Sequence, residues 1–424
     1  MEHARGAEVP LSLKALRAEN CYNVPMADDA LTFNKGFGLK REVQAPLERD
    51  YTSPVVDLLK AGNFVLTLGD ITLKLAREFG FCYGVDRTVQ YAYETLMRFP
   101  DRRIFITDEI IHNPFVNETL IARGMKFLFG RYACGITLDH LQPDDVVILP
   151  AFGVTADMLA RVKRVNCTLV DTTCGSVLNV WKNVEKYARE GFTAIVHGRY
   201  DHEETRATTS QALKYPNGRY LVVRDLKEAL IVRDYIVNGG DAKAFLQRFE
   251  RACNPGFDPD KDLLHIALAN QTTMLMSESL EIEKLLREAI FTRWGSEEGQ
   301  KHVRAFDTIC SATQDRQDAM KELLNEKLDL VVVIGGYNSS NTGHLAEMSV
   351  RKRPTFHIQG ADDMVSLDLI RHRDPASHGI VESRAWLPDG KLVIGLTAGA
   401  STPNSKIGEV VERLLTLRGI AVPA

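Results

Sequence analysis

Three cysteines, Cys82, Cys174 and Cys310, each stand where a strand-like run gives way to a helix-like one. The preceding runs are Ile71 to Phe81, Thr168 to Thr173 and Ala305 to Ile309, and helical patterns follow from Val85, Val177 and Thr313. A polar residue recurs at a matched distance downstream. His112 lies 30 residues after Cys82, His202 lies 28 after Cys174, and Ser339 lies 29 after Cys310. Later in each unit another strand-like run ends in a small or polar loop, at 150–153, 270–273 and 398–401. The chain thus reads as one βα-rich unit used three times, each copy delivering one thiol and a set of polar loops. Three thiolates around a pseudo-threefold centre can hold three corners of a [4Fe–4S] cube and leave the last iron open for Lewis-acid chemistry. Three distant cysteines can equally bind zinc.

The elements that must position these groups alternate between strand and helix. Short β-branched runs at Ile104–Ile106, Val146–Leu149, Ala194–Val196, His265–Leu268 and Leu330–Ile334 read as buried parallel strands. Amphipathic segments at 115–124 and 182–189 read as helices between them, and Ser405–Leu417 as a terminal helix. This implies an α/β fold of three pseudo-repeated domains with mainly parallel sheets around a central site. The expected boundaries are an extension over 1–69 with a short helix over 48–59, a first unit over 70–173, a second over 174–305 with an insertion near 226–262, and a third over 306–424. Ligands bind at the carboxyl ends of strands in such folds, and all three cysteines fall there.

Composition narrows the classes. A chain of 424 residues suits two to four domains, and 45% hydrophobic with 25% charged residues is an ordinary globular balance. A net charge of −4 argues against general nucleic-acid binding. No apolar run approaches a membrane span. The N-terminus lacks a signal-peptide core, and its first 50 residues hold eight acidic residues against seven basic ones with one serine, unlike a transit peptide. A cytoplasmic protein is expected. Seven cysteines, an odd number without C-x-x-C spacing, exclude a disulfide framework and zinc ribbons. Cys21, Cys134, Cys167 and Cys253 read as small apolar residues. No G-x-G-x-x-G follows a strand, so no built-in flavin or nicotinamide domain is evident.

The motifs around these positions resemble those of the 4-hydroxy-3-methylbut-2-enyl diphosphate reductases, which catalyse the last step of the non-mevalonate isoprenoid route. The matching stretches are 80–87 around Cys82, Ile111-His112-Asn113-Pro114, Asp171-Thr172-Thr173-Cys174, His202-Glu203-Glu204-Thr205, Asn270-Gln271-Thr272-Thr273, 309–314 around Cys310, Asn338-Ser339-Ser340-Asn341 and 397–401. They run in order from about Asp70 to Glu409, and the extension together with the Phe152 loop looks like the longer plant and cyanobacterial form.

The resemblance implies one [4Fe–4S] cluster per subunit, held by Cys82, Cys174 and Cys310. It implies a substrate site of His112, His202, Thr273, Ser339, Ser340, Asn341 and Ser401, with Glu204 and Thr272 catalytic near the substrate hydroxyl. It further implies reductive loss of that hydroxyl from an allylic diphosphate, a ferredoxin or flavodoxin donor with its reductase, no nucleic-acid or membrane partner, and a monomer or homodimer. Two departures stand out: Phe152 where many members carry histidine, and Gly175 where many carry proline.

Plainer readings of the same residues exist. His112 and His202 suit surface or cap positions, Glu204 a solvated helix start, and Thr272 and Thr273 a turn. Ser339-Ser340-Asn341 suits a helix N-cap, which is compatible with phosphate binding. A three-cysteine cluster dehydratase and an iron–sulfur sensor are the competing functions. The dehydratase leaves the Ser339–Asn341 and His202–Glu204 motifs unexplained. A sensor has no need of a polar pocket.

Overall fold

A computed structural model describes residues 32–305 and 308–422; Cys21 lies outside them. Strands of the described residues form three sheets. The first, parallel throughout, runs in the order Thr32–Phe33, Thr168–Asp171, Val146–Leu149, Ile104–Ile106, Lys126–Phe127. The second, also parallel, runs Val303–Ala305, Ile266–Asn270, Thr193–His197, Arg219–Val223. The third has a parallel centre of Thr355–Ile358, Leu330–Ile334, Leu392–Ala398 and Ile71–Leu75. Antiparallel strands close its edges, Leu369–Arg373 and Ile380–Arg384 on one side and Val65–Leu68 on the other. Every residue of Val146–Leu149, Thr193–His197 and Leu330–Ile334 is buried, because helices cover both faces of these strands.

Each of the three cysteines marks a transfer of the chain between sheets. Ile71–Leu75 lies in the third sheet, in register with Leu392–Leu396. The helix after Cys82, Tyr83–Arg98, then packs Val89 and Ala92 into the core of the first. Thr168–Asp171 belongs to the first sheet, and the helix after Cys174, Gly175–Arg189, packs Val180 and Val184 against the second. Val303–Ala305 belongs to the second, and the helix after Cys310, Ser311–Leu324, packs Met320 and Leu323 against Val331 and Val333 of the third. The chain therefore passes from third to first, first to second and second to third, meeting the molecular centre at each crossing.

This arrangement differs from the sequence expectation in four respects. Segment 70–81 groups with the third sheet rather than the first, and its partner strand Leu392–Ala398 lies near the opposite end of the chain. Residues 32–69 are woven in rather than appended. Thr32–Phe33 extends the first sheet, and Val55, Val56 and Leu59 are buried with Val410 and Val411 under the third. The helix expected over 48–59 is two helices, Lys40–Tyr51 and Pro54–Ala61. Pro54 has no N–H to donate and forces Ser53 into an extended conformation (φ −151°, ψ 122°). Finally, much of the insertion near 226–262 is helical. Its helix Leu226–Asn238 is capped by Asp225 and adds Val232 and Ile236 to the second core. No helix of the described residues is long and apolar enough to cross a membrane.

Candidate active site

Cys82, Cys174 and Cys310 are the N-cap residues of the three crossing helices, and all are unpaired thiols. Helix N-termini favour anionic sulfur. The Val85 N–H donates to Cys82 Sγ (3.5 Å), and the Ser176 hydroxyl to Cys310 Sγ (3.4 Å). Gly84 lets two of these helix starts meet. A Cβ there would fall 2.6 Å from Cys174 Sγ and 3.9 Å from Cys82 Sγ. Burial pushes the Cys82 and Cys174 thiols up. Among the described residues the only group of His, Cys, Asp or Glu whose ligand atoms all lie within 4.8 Å is His112, His202 and Glu203.

All twelve residues singled out in the sequence line one central cavity. The second helix of each unit also points its N-terminus there. Asn113, next to His112, caps Pro114–Ala122; His202 caps Glu203–Ala212; Ser339 caps Ser340–Val350. Three such ends make a place for anionic oxygen.

The histidines are held with one nitrogen engaged. His202 Nδ1 accepts the Glu204 N–H at 3.1 Å. Burial drives its pKa well below the usual value, so the ring is neutral and its Nε2 carries the proton. His112 Nδ1 lies 3.1 Å from Glu109 Oε2. Burial raises the Glu109 carboxyl, but hydrogen bonds from His112 and Asn338 outweigh it and leave the group below its ordinary range. The His112 ring stacks on Phe152 (centroids 4.7 Å apart) and meets His202 edge-on. Phe152 thus supplies a packing wall for His112. Nε2 of both histidines and Nδ2 of Asn341 are buried without a hydrogen-bond partner among the described residues. Asn341 is oriented by the Ala400 N–H on its Oδ1, and Ser401 donates to the His112 carbonyl.

Glu204 is fully buried, and burial raises its carboxyl to about 6 against hydrogen bonds from Thr272 that lower it. The Thr272 N–H donates to Oε1 at 2.6 Å. The carboxyl therefore carries a proton below about pH 6.

The family model described as LytB protein matches residues 73–415. The chain belongs to the LytB family. It is 49% identical to the 4-hydroxy-3-methylbut-2-enyl diphosphate reductase of Gloeobacter violaceus over 92% of this chain and 93% of that protein. It is 46% identical to that of Thermosynechococcus vestitus over 91% and 95%. Among solved structures, the corresponding reductase of Plasmodium falciparum superposes with a TM-score of 0.59 at 22% identity, covering 81% of this chain and 87% of that one. That likeness supports the fold of three α/β units with mainly parallel sheets.

Sequence reasoning about this LytB chain missed three supporting residues. Gln271 is buried and donates to Thr273 and Ser340 while accepting from Thr205 and the Arg199 N–H, tying the second unit to the third. Its place inside the Asn270–Thr273 run was the available signal. Glu109 and Asn338 bridge to each other at 2.8 Å and both meet His112 at Nδ1. The spacing of Glu109, three residues before His112, gave only a faint signal.

Proposed function

We propose that this chain reduces (E)-4-hydroxy-3-methylbut-2-enyl diphosphate to isopentenyl and dimethylallyl diphosphates, the last step of the non-mevalonate isoprenoid route. The observation that carries this reading is one cavity holding three unpaired thiols, His202 Nε2 and Asn341 Nδ2 without hydrogen-bond partners among the described residues, and a carboxyl that burial raises to about 6. The reaction takes up two electrons and two protons. The C4–O bond breaks, the oxygen leaves as water, and a C–H bond forms on the allyl unit.

Cys82, Cys174 and Cys310 would hold a [4Fe–4S] cluster, which when bound supplies electrons and a Lewis-acidic iron lacking a thiolate. Every other part of the task falls to the side chains. His202 Nε2–H, Asn341 Nδ2–H and the N-terminus of Ser340–Val350 receive the diphosphate. His112, Thr273, Ser339, Ser340 and Ser401 complete its surroundings. Glu204, with Oε1 fixed by Thr272, offers the Oε2 proton to the departing hydroxyl, which otherwise leaves poorly. Walls formed by Val85, Val177 and Phe152 keep bulk water from the reacting carbon. A ferredoxin or flavodoxin, recharged by its reductase, delivers the electrons one at a time.

The test is anaerobic purification, assay with the allylic diphosphate and a strong one-electron donor, and product identification by mass spectrometry. Both C5 diphosphates are expected, and Cys174→Ser or Glu204→Gln should abolish them. A sample with a full complement of iron and no product would overturn the reading.

A further inference from the structure

Arg316 sits on the helix Ser311–Leu324 and is only 3% exposed. Its Nη1 donates to the Ala312 carbonyl and its Nη2 to the Gly80 carbonyl, both at 2.7 Å. The guanidinium therefore links the loop before Cys82 to the first turn after Cys310. Its Nε is buried without a hydrogen-bond partner among the described residues, and no ion pair there neutralises it. The neighbouring carboxylates in its sequence surroundings, Glu78 and Asp315, are exposed. Two carbonyl hydrogen bonds do not require a charge, and a buried cation without a counter-ion is costly. The two carbonyls it holds stand two residues before Cys82 and two residues after Cys310. The guanidinium favours the anionic form of Cys82, and the exposed Glu78, which also acts on it, is screened by solvent.

Three thiolates outweigh the two positive charges of an oxidised cubane core and leave one net negative charge. We propose that Arg316 is a positioning residue that provides the counter-charge of the cluster and raises its reduction potential, easing electron uptake from the donor. The inference rests on the reading that the three thiols hold a cluster. In the step concerned, one electron moves from the reduced donor protein to the oxidised cluster, and the donor is oxidised. The added negative charge is stabilised by the fixed guanidinium in a buried setting of weak screening.

The experiment compares wild type, Arg316→Gln and Arg316→Lys as full-length, anaerobically reconstituted proteins. Iron per chain, circular dichroism and an EPR-monitored potentiometric titration are recorded for each. The glutamine variant should take up iron and titrate at a more negative potential, by roughly a tenfold change in the one-electron equilibrium, about 59 mV. The lysine variant, which keeps the charge and loses the forked geometry, should stay near wild type. A fully loaded glutamine variant at the wild-type potential overturns the proposal while leaving the reductase reading intact. Should the glutamine variant retain no iron, the lysine variant decides. Iron at near wild-type potential supports the charge role. Iron loss in both variants assigns Arg316 to holding the Gly80 turn and overturns the proposal. Wild-type protein that binds no iron and makes no product removes the reductase reading and the proposal together.

Discussion

Glu204 Oε1 lies 2.6 Å from the backbone nitrogen of Thr272, joining the first turn of Glu203–Ala212 to the loop after Ile266–Asn270. The bond sits in a fully buried setting that raises the carboxyl to about 6.

If protonated Glu204 serves the reaction, kcat should fall as pH rises through about 6, and Glu204→Gln should reduce turnover to near the detection limit at every pH. The stability sign is separate. A carboxyl raised from 4.5 to about 6 contributes stability that is complete below 4.5 and lost as pH rises through 6. Glu204→Gln removes that loss, so the variant apoprotein should melt at or above wild type at pH 8. Thermal unfolding at pH 4.5 and pH 8 checks this. A variant melting well below wild type at pH 8 would contradict it.

His202→Phe removes a buried donor aimed at the cavity. Loss of a hydrogen bond to a charged group, about 1.5–3 kcal/mol, corresponds to a rise in KM of roughly 10–100-fold with a smaller effect on kcat. Because burial keeps His202 neutral, its contribution should be flat between pH 6 and 8. Initial-rate kinetics across that range provide the check, and a KM that tracks imidazole titration would count against the assignment.

At Gly84 the added methyl group of Gly84→Ala would meet Cys174 Sγ at 2.6 Å. Helical backbone accepts alanine readily, so the apoprotein should fold and melt near the wild-type temperature. Iron per chain after anaerobic reconstitution should fall by at least half. Full iron loading would show that the Cys174 sulfur is not confined by this contact.

Phe152→Ala takes the stacked wall away from His112. Aromatic contact of about 0.5–1.5 kcal/mol predicts a KM increase of roughly two- to tenfold, together with a lower melting temperature from lost packing. Unchanged KM with a lowered melting temperature would confine Phe152 to packing.

Much of this site was legible in the sequence because its parts lie in short runs. Cys310 with Thr313, His202 with Glu204, and Ser339 to Asn341 each occupy one helix start, where residue type and local capping coincide. Fully buried strands such as Leu330–Ile334 were readable from β-branched composition alone. What escaped depends on pairing across the chain. Nothing local to Ile71–Leu75 marks Leu392–Ala398 as its neighbour, and Gln271 reads as a turn residue until its partners on three other elements are in place. The break at Pro54 was local and readable. It was missed because the apolar periodicity runs through it.

The pairing of Ile71–Leu75 with Leu392–Ala398 also sets a clock on the ribosome. The early strand leaves the exit tunnel long before its partner has been synthesised. At roughly 5–20 residues per second that wait is on the order of 15–60 seconds. Through that interval the loop bearing Cys82 has no completed sheet behind it, and for most of it Cys310 does not yet exist. Iron delivery that begins on nascent chains would meet isolated thiols. In the proposed cluster-holding role, loading is therefore best matched to chain release, when the strand Leu392–Ala398 closes the third sheet behind the Cys82 loop.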